Sequence, residues 1–239
     1  MKTTIIAVLI TFFCVHSYGQ SIFKAIENKD YNKLEKIVKK SSKIDKPSSD
    51  GPTPLWLATQ LEDTISMRLL LDNNANPNAP TNGGTTPIFL PTMTGNIAIA
   101  KLLLEYDVDV NYNKNKYKVT PLRHAARNGH LEIVKLLVEN GADIESKAED
   151  KATALTVACA KGHIDVSQYL IDKGSKINVL DKDGDTPLTN ACAEGRFEIV
   201  KYLMEKGADK TITNNEGLNA IEVAKQSGFP KIASYLTKL

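Results

Sequence analysis

The chain has 239 residues, of which 42% are hydrophobic, 24% charged and 6% aromatic, so it can bury a core and has the composition of an ordinary folded protein. These values exclude disordered and collagen-like chains. The formal net charge is only +2; because there is no global positive field to hold a polyanion, we expect no nucleic-acid partner.

The first nineteen residues have the pattern of a secretory signal peptide. Lys2 gives a positive start, residues 5–15 are apolar apart from Thr11, and Ser17 and Gly19 place small residues before a cut at Gln20. The apolar run is far shorter than the roughly 20 residues of a membrane-spanning helix. We therefore expect an exported protein, periplasmic or secreted, without a membrane span. The absence of an Asn-x-Ser/Thr sequon favours a bacterial origin.

A segment of the type Thr-Pro-Leu recurs at intervals of 33 or 34 residues. A glycine lies nine residues after most of these anchors, and a Leu-Leu or Tyr-Leu pair lies about sixteen residues after them. Landmarks that stay in phase over five intervals identify an internal repeat. The anchor residues are Thr53, Thr86, Thr120, Thr153, Thr186 and Asn219.

Each repeat predicts two short helices joined by a turn. The anchor Thr is suited to cap the first helix, because its side chain accepts a backbone N–H, and Pro follows at the first helical position. Glycines such as Gly129 end this helix, and the apolar spacing of residues 131–137 predicts a second, antiparallel helix that ends at Gly141. The polar residues before the next anchor predict a β-turn tip.

A resemblance to the ankyrin repeat is carried, nearly position for position, by residues 120–143, TPLRHAARNGHLEIVKLLVENGAD. It extends over residues 20–239, with a divergent first repeat aligned through Ala25. The resemblance implies an all-α fold, an ankyrin-repeat α-solenoid of about seven stacked helix-turn-helix repeats with β-turn or hairpin tips, in one domain. The approximate repeats are 20–49, 50–82, 83–116, 117–149, 150–182, 183–215 and 216–239.

Three local features depart from this regular pattern. The basic run 33–43 has two interpretations. It is either a surface that binds anions or membranes, or the polar outer face of an N-terminal capping repeat, and we prefer the second. Pro91 stands where the other repeats have alanine, so we expect it to distort the first helix of the third repeat. Such an irregularity marks either a functional site or neutral sequence drift, and both explanations stay open. Asp107 stands where glycine is usual and precedes the extra residue of the 34-residue interval.

The candidate catalytic and metal-binding side chains converge on no motif, so we predict no catalytic, cofactor or metal site. The resemblance implies that His130 and His163 hydrogen bond within Gly-His turns. We expect Cys159 and Cys192 to be buried and unbridged, because packed helices lie ~8–10 Å apart and a disulfide needs Cα atoms within ~7 Å. His124 replaces an apolar residue, and we prefer a hydrogen bond to its neighbours over contact with a ligand.

The resemblance places partner contacts at the hairpin tips and at the exposed end of each first helix. The tip at residues 111–118 carries two tyrosines among three lysines, whereas the fifth and sixth repeats are mainly acidic. Tyr and Arg are enriched in binding hot spots. The candidate partner-binding residues are Leu61, Met93, Tyr112, Lys116, Tyr117, Arg127, Asn128, Lys161, Asp183, Asp185 and Glu194.

These observations favour a non-catalytic, exported scaffold that binds an unidentified protein partner as a monomer. Two alternatives stay open. A structural module of an envelope assembly would self-associate. An enzyme or metal-binding protein that uses His124, His163 or the cysteines would show a convergent polar pocket.

Overall fold

The computed structural model describes residues 20–40, 44–48 and 51–239. The predicted signal peptide lies outside these residues. The described residues form fourteen helices and no strands, which confirms the predicted all-α fold. They divide into two compact units, one ending at Asn76 and one spanning Pro77–Leu239, and each unit is described by itself. The expectation of a single domain stays a prediction.

The first unit contains two helix pairs. Its helices are α1 (Gln20–Glu27), α2 (Tyr31–Val38), α3 (Pro54–Gln60) and α4 (Thr64–Leu71). Helix α1 packs on α3 and α2 packs on α4. On α2, Leu34 and Val38 are buried while Lys36 is exposed, as are Lys39 and Lys40 after it. This distribution supports a polar outer face for the first pair, as predicted.

The second unit contains five helix pairs. Its helices are α5 (Phe89–Thr94), α6 (Ile97–Leu104), α7 (Pro121–Asn128), α8 (Leu131–Glu139), α9 (Ala154–Lys161), α10 (Ile164–Asp172), α11 (Pro187–Ala193), α12 (Phe197–Glu205), α13 (Ala220–Gln226) and α14 (Pro230–Lys238). The first helices α5, α7, α9, α11 and α13 pack in one row, and the second helices α6, α8, α10 and α12 pack in another. With the first unit, the described chain therefore contains the seven predicted helix-turn-helix repeats.

Side-chain caps explain why the first helices begin where they do. The capping oxygen accepts a backbone N–H in the first turn, and such a cap contributes about 1 kcal/mol. In three repeats the third helical residue bonds back to the backbone of the cap, which completes a capping box. The capping residues are Thr53, Thr120, Thr153, Thr186 and Asn219.

The third repeat is the exception to this capping pattern. Helix α5 begins at Phe89, three residues after the anchor Thr86, and its start has no side-chain cap. The Phe89 N–H instead donates to the Thr86 carbonyl at 3.0 Å. The late start places Pro91 in the first helical turn, where a missing N–H costs no helical hydrogen bond. The prediction that Pro91 distorts this helix is therefore confirmed.

The tips are closed by backbone hydrogen bonds, as the β-turn prediction requires. The Thr81 N–H donates to the Thr85 carbonyl at 2.8 Å, and the Asp181 N–H donates to the Asp185 carbonyl at 3.0 Å. Four tips place a glycine two residues before the anchor, in the left-handed region. In the fourth and fifth repeats the same position holds Lys118 at φ 53° and Lys151 at φ 58°. A side chain with a β-carbon is strained in this conformation.

Replacing Lys151 with glycine should therefore stabilise the protein. Release of the left-handed strain, offset in part by the greater entropy of the unfolded chain, should raise the free energy of unfolding by about 0.5–1 kcal/mol. Urea denaturation of the parent and of Lys151→Gly measures the difference. Lys151→Ala is the matched control, since it removes the charge but keeps the β-carbon. An equal gain in both variants would assign the effect to charge and contradict the prediction.

Candidate partner-binding surface

Neighbouring repeats of the second unit are joined at the end of each first helix. The Nε2 of His130 donates to the Met93 carbonyl at 3.1 Å, and the Nε2 of His163 donates to the Arg127 carbonyl at 3.0 Å. These bonds confirm the predicted structural role of the two histidines. Gly129 is required here, because it is left-handed at φ 75° and a β-carbon would collide with the His163 ring.

The exposed apolar candidates lie where the sequence places partner contacts. In the second unit, Met93 and Tyr117 are each 58% exposed. The Lys116 ammonium lies 5.2 Å from the centre of the Tyr117 ring, within the range of a cation–π contact. In the first unit, Leu61 at the end of α3 is 45% exposed. Of these three apolar side chains, Tyr117 is of a type that is enriched in hot spots.

The polar candidates on the first helices are also accessible. Arg127, Asn128 and Lys161 are all exposed. The Asn128 amide is already engaged, since it donates to the carbonyls of Thr92 at 3.1 Å and His124 at 3.0 Å. Among the described residues, Arg127 has no side-chain ion pair. Arg127 is thus the freer of the two neighbours to bind an external group.

Tyr112 corrects the expectation that the fourth tip offers two tyrosines. Its side chain is only 8% exposed, and burial raises the pKa of its hydroxyl. The reason is its phase in the repeat: Tyr112 lies as far after the anchor Thr86 as the buried Ala79 and Val179 lie after their own anchors, because the extra residue of this interval falls after Tyr112. A count from the preceding anchor would have found the inward position. Tyr112 is therefore part of the packing rather than of the contact surface.

The acidic candidates are partly engaged within the protein. Asp183 is exposed, whereas Asp185 is half-buried and accepts a hydrogen bond from the Asn214 amide at 3.0 Å. Burial raises the pKa of the Asp185 carboxyl. Glu194 lies 3.6 Å from the Arg196 guanidinium. The sixth repeat thus presents a carboxylate tip whose side chains also hold the tip together.

His124 forms a hydrogen bond with a neighbouring repeat, as the sequence analysis expected. Its Nδ1 lies 2.9 Å from the Thr92 hydroxyl, and its ring meets the Phe89 ring edge-on at 6.0 Å. The side chain is half-buried. Burial lowers the pKa of His124, and the positive charge of Arg127 acts in the same direction. His124 is therefore neutral at pH 7 and couples α7 to α5.

The cysteines are buried and free, which confirms the expectation that they are unbridged. Burial raises the pKa of Cys159 and of Cys192 to about 12, so both thiols stay protonated at neutral pH. Within the described ranges, no three His, Cys, Asp or Glu side chains are grouped so as to hold a metal ion. Two surface depressions, one on α13 and α14 and one between α6 and α8, contain neither His nor Cys.

The structure also reveals an ion pair that the sequence analysis missed. Arg123 is only 8% exposed, and its guanidinium binds the Asp150 carboxylate in the tip of the fifth repeat. Its Nε is buried without a hydrogen-bond partner. The signal available in the sequence was a cation where the second, third and fifth repeats have Trp56, Phe89 and Thr156. This pair holds the fifth tip against α7.

Comparisons with known proteins agree with this architecture. A sequence model described as ankyrin repeats in three copies matches residues 22–114, 95–148, 110–181 and 174–239. Alpha-latrocrustotoxin-Lt1a from Latrodectus tredecimguttatus is 30% identical over 118 residues, which are 49% of this chain and 8% of the toxin. Alpha-latroinsectotoxin-Lt1a from the same organism is 27% identical over 144 residues, 58% of this chain and 10% of the toxin. The chain thus covers a tenth or less of each relative. Throughout the described part, every helix is too short or too polar to cross a membrane.

The environment of His124 predicts a pH-dependent stability. Because its pKa is lower in the folded chain than the ordinary value of 6.5, the unfolded chain binds the proton first as the pH falls, and stability decreases below that pH. His124→Leu should reduce this acid loss. Urea midpoints measured above and below pH 6.5 test it, with Asn190→Leu, at the same position of the sixth repeat, as a non-titrating control. An unchanged pH dependence in His124→Leu would contradict the assignment.

Proposed function

The chain belongs to the ankyrin-repeat family, and we propose that it is a non-catalytic scaffold that binds a protein partner. The contact surface comprises Met93, Lys116, Tyr117, Arg127 and Asn128 on the third and fourth repeats. The observation that carries the proposal is the exposure of Met93 and Tyr117, two large apolar side chains at positions where the family makes contacts. Tyr is enriched in binding hot spots, and both side chains are accessible to a partner.

The backbone beneath this surface is held in place, which supports a binding role. The Met93 and Arg127 carbonyls each accept a hydrogen bond from a histidine of the next repeat. The Tyr117 carbonyl accepts one from the Glu149 N–H at 2.9 Å. A rigid backbone loses little conformational entropy on association, so more of the contact energy remains for affinity.

A non-catalytic role is supported by the state of the candidate reactive groups. Burial keeps the Cys159 and Cys192 thiols protonated, and the Nε2 atoms of His130 and His163 are engaged with backbone carbonyls. Catalysis by such groups requires an ionised nucleophile or a free base next to a substrate. Lys161, like Asp183, Asp185 and Glu194, belongs in this proposal to the periphery of the contact surface.

The double variant Tyr117→Ala/Arg127→Glu should weaken partner binding by about 2 kcal/mol or more, if both residues are hot spots. Neither side chain supports the fold, because the structural contacts at these positions are made by the backbone carbonyls. Affinity capture with the tagged parent identifies the partner by mass spectrometry. Calorimetric titration then compares the parent with the variant, and thermal unfolding checks that stability is unchanged.

The matched control for this experiment is Lys238→Glu/Leu239→Ala. It also removes one cation and one exposed large apolar side chain, but at the end of α14. This control should bind like the parent. Equal losses in the two double variants, or full binding by Tyr117→Ala/Arg127→Glu, would refute the assigned surface. A parent that captures no protein and self-associates in light scattering would instead favour the structural-module alternative.

We also propose that residues 1–19 direct export and are removed before Gln20. The support is their sequence pattern of a positive start, an apolar run and small residues before the cut. Expression of the full chain in a secreting bacterial host should yield an exported protein whose N-terminal sequence starts at Gln20. Gly19→Arg is the control, since it should block cleavage while leaving the apolar run intact. Retention of the parent in the cell with Met1 in place would contradict the proposal.

A further inference from the structure

The fourth tip and helix α7 carry a one-sided charge. Between residues 73 and 131 the only carboxylates are Glu105, Asp107 and Asp109, which directly follow α6 at the far end of the third repeat. The fourth tip and α7 contain only cations and neutral residues. We call four exposed cations there the cationic surface: Lys114, Lys116, Lys118 and Arg127.

The cationic surface has no internal counter-charge. Among the described residues, none of its four cations forms an ion pair. Arg123, which is one turn from Arg127 on α7 and shares its face, is by contrast neutralised by Asp150. Four cations without carboxylate partners, in one tip and the helix that follows it, raise the local concentration of anionic ligands.

The tip and the end of α7 lie on one side of the unit. Arg123 reaches Asp150 in the fifth tip, so the face of α7 shared by Arg123 and Arg127 is the one beside the tips. The Glu149 N–H in turn bonds to the Tyr117 carbonyl at 2.9 Å, which joins the fourth and fifth tips. One extended ligand on this side can therefore meet both the tip lysines and Arg127.

The site also has two exposed apolar side chains, Tyr117 in the fourth tip and Met93 at the end of α5. Tyr117 is flanked in sequence by Lys116 and Lys118, and the Lys116 ammonium lies over its ring at 5.2 Å. Met93, at the end of α5, is equally exposed, and its carbonyl is tied to His130 in the fourth repeat. A ligand for this site therefore needs apolar groups as well as negative charge.

The sixth tip, further along the unit, has the opposite charge. It holds three carboxylates, Asp181, Asp183 and Asp185, and the Asp181 carboxylate accepts hydrogen bonds from the backbone N–H groups of the other two. This tip repels an anionic ligand. Because the charge changes from positive at the fourth tip to negative at the sixth tip, an anionic ligand is confined to the third and fourth repeats and favours one orientation along them.

We propose that the cationic surface, with Met93 and Tyr117, binds an acidic peptide segment that carries at least one large apolar side chain. The inference rests on the proposed scaffold function and names the chemistry of its partner. Carboxylates of the segment pair with Lys114, Lys116, Lys118 and Arg127, while its apolar side chains pack on Tyr117 or on Met93. Because these charges are exposed, binding weakens as the salt concentration rises.

Selection of a displayed random-sequence peptide library on the purified protein tests this chemistry directly, because the library samples acidic, basic and neutral segments alike. The selected peptides should be enriched in Asp, Glu and large apolar residues. Lys116→Glu/Arg127→Glu should reduce their affinity about tenfold or more. Lys225→Glu/Lys238→Glu is the control, since it makes the same charge change at exposed lysines of the last repeat and should bind like the parent.

Selection of basic or uncharged peptides, or equal binding of acidic peptides by both double variants, would overturn the acidic-segment inference but leave the scaffold proposal intact. Failure to select any peptide would also overturn it, and the capture experiment then decides the scaffold proposal on its own. A parent that dimerises in light scattering and becomes monomeric in Lys116→Glu/Arg127→Glu would assign the cationic surface to the acidic tip of a second copy. That result likewise contradicts a peptide partner.

Discussion

The contact between the end of one first helix and the start of the next second helix is the constraint on which the second unit depends. His130, His163 and Arg196 occupy the same position in successive repeats, and each donates to a carbonyl at the end of the preceding first helix. The left-handed glycine beside that carbonyl leaves room for the incoming side chain. Because three successive junctions use the same contact, the spacing of these neighbouring repeats is set locally, without a central core that all repeats share.

This local control also positions the candidate binding surface. The carbonyls of Met93 and Arg127 are engaged in these contacts, so their side chains project from a backbone that the next repeat holds fixed. The Arg123–Asp150 pair does the same for the fifth tip. An ion pair of this kind costs desolvation and contributes little net stability unless it is well paired. Here it also removes one cation and one carboxylate from the charge that a partner meets.

The irregular features of the second unit concentrate in the third and fourth repeats. Helix α5 starts late around Pro91, the fourth tip contains the extra residue of the 34-residue interval, and Lys118 holds a left-handed conformation. Each departure is tolerated because a repeat contacts only its neighbours, so the strain does not spread. The same two repeats carry the exposed Met93 and Tyr117. Local departures from the best-folding pattern are expected where a surface serves binding.

The amino-acid sequence by itself determined the repeat period, the paired helices, the Thr caps and the buried, free cysteines, because each depends on a local rule repeated at constant spacing. The distortion at Pro91 was predictable for the same reason. Only the tertiary structure decided which residues some thirty positions apart meet. The contacts of His124 with Thr92 and of Arg123 with Asp150 both depend on how adjacent repeats stack. A periodic pattern specifies the phase of a side chain, but its partner is specified only when the neighbouring repeat packs against it.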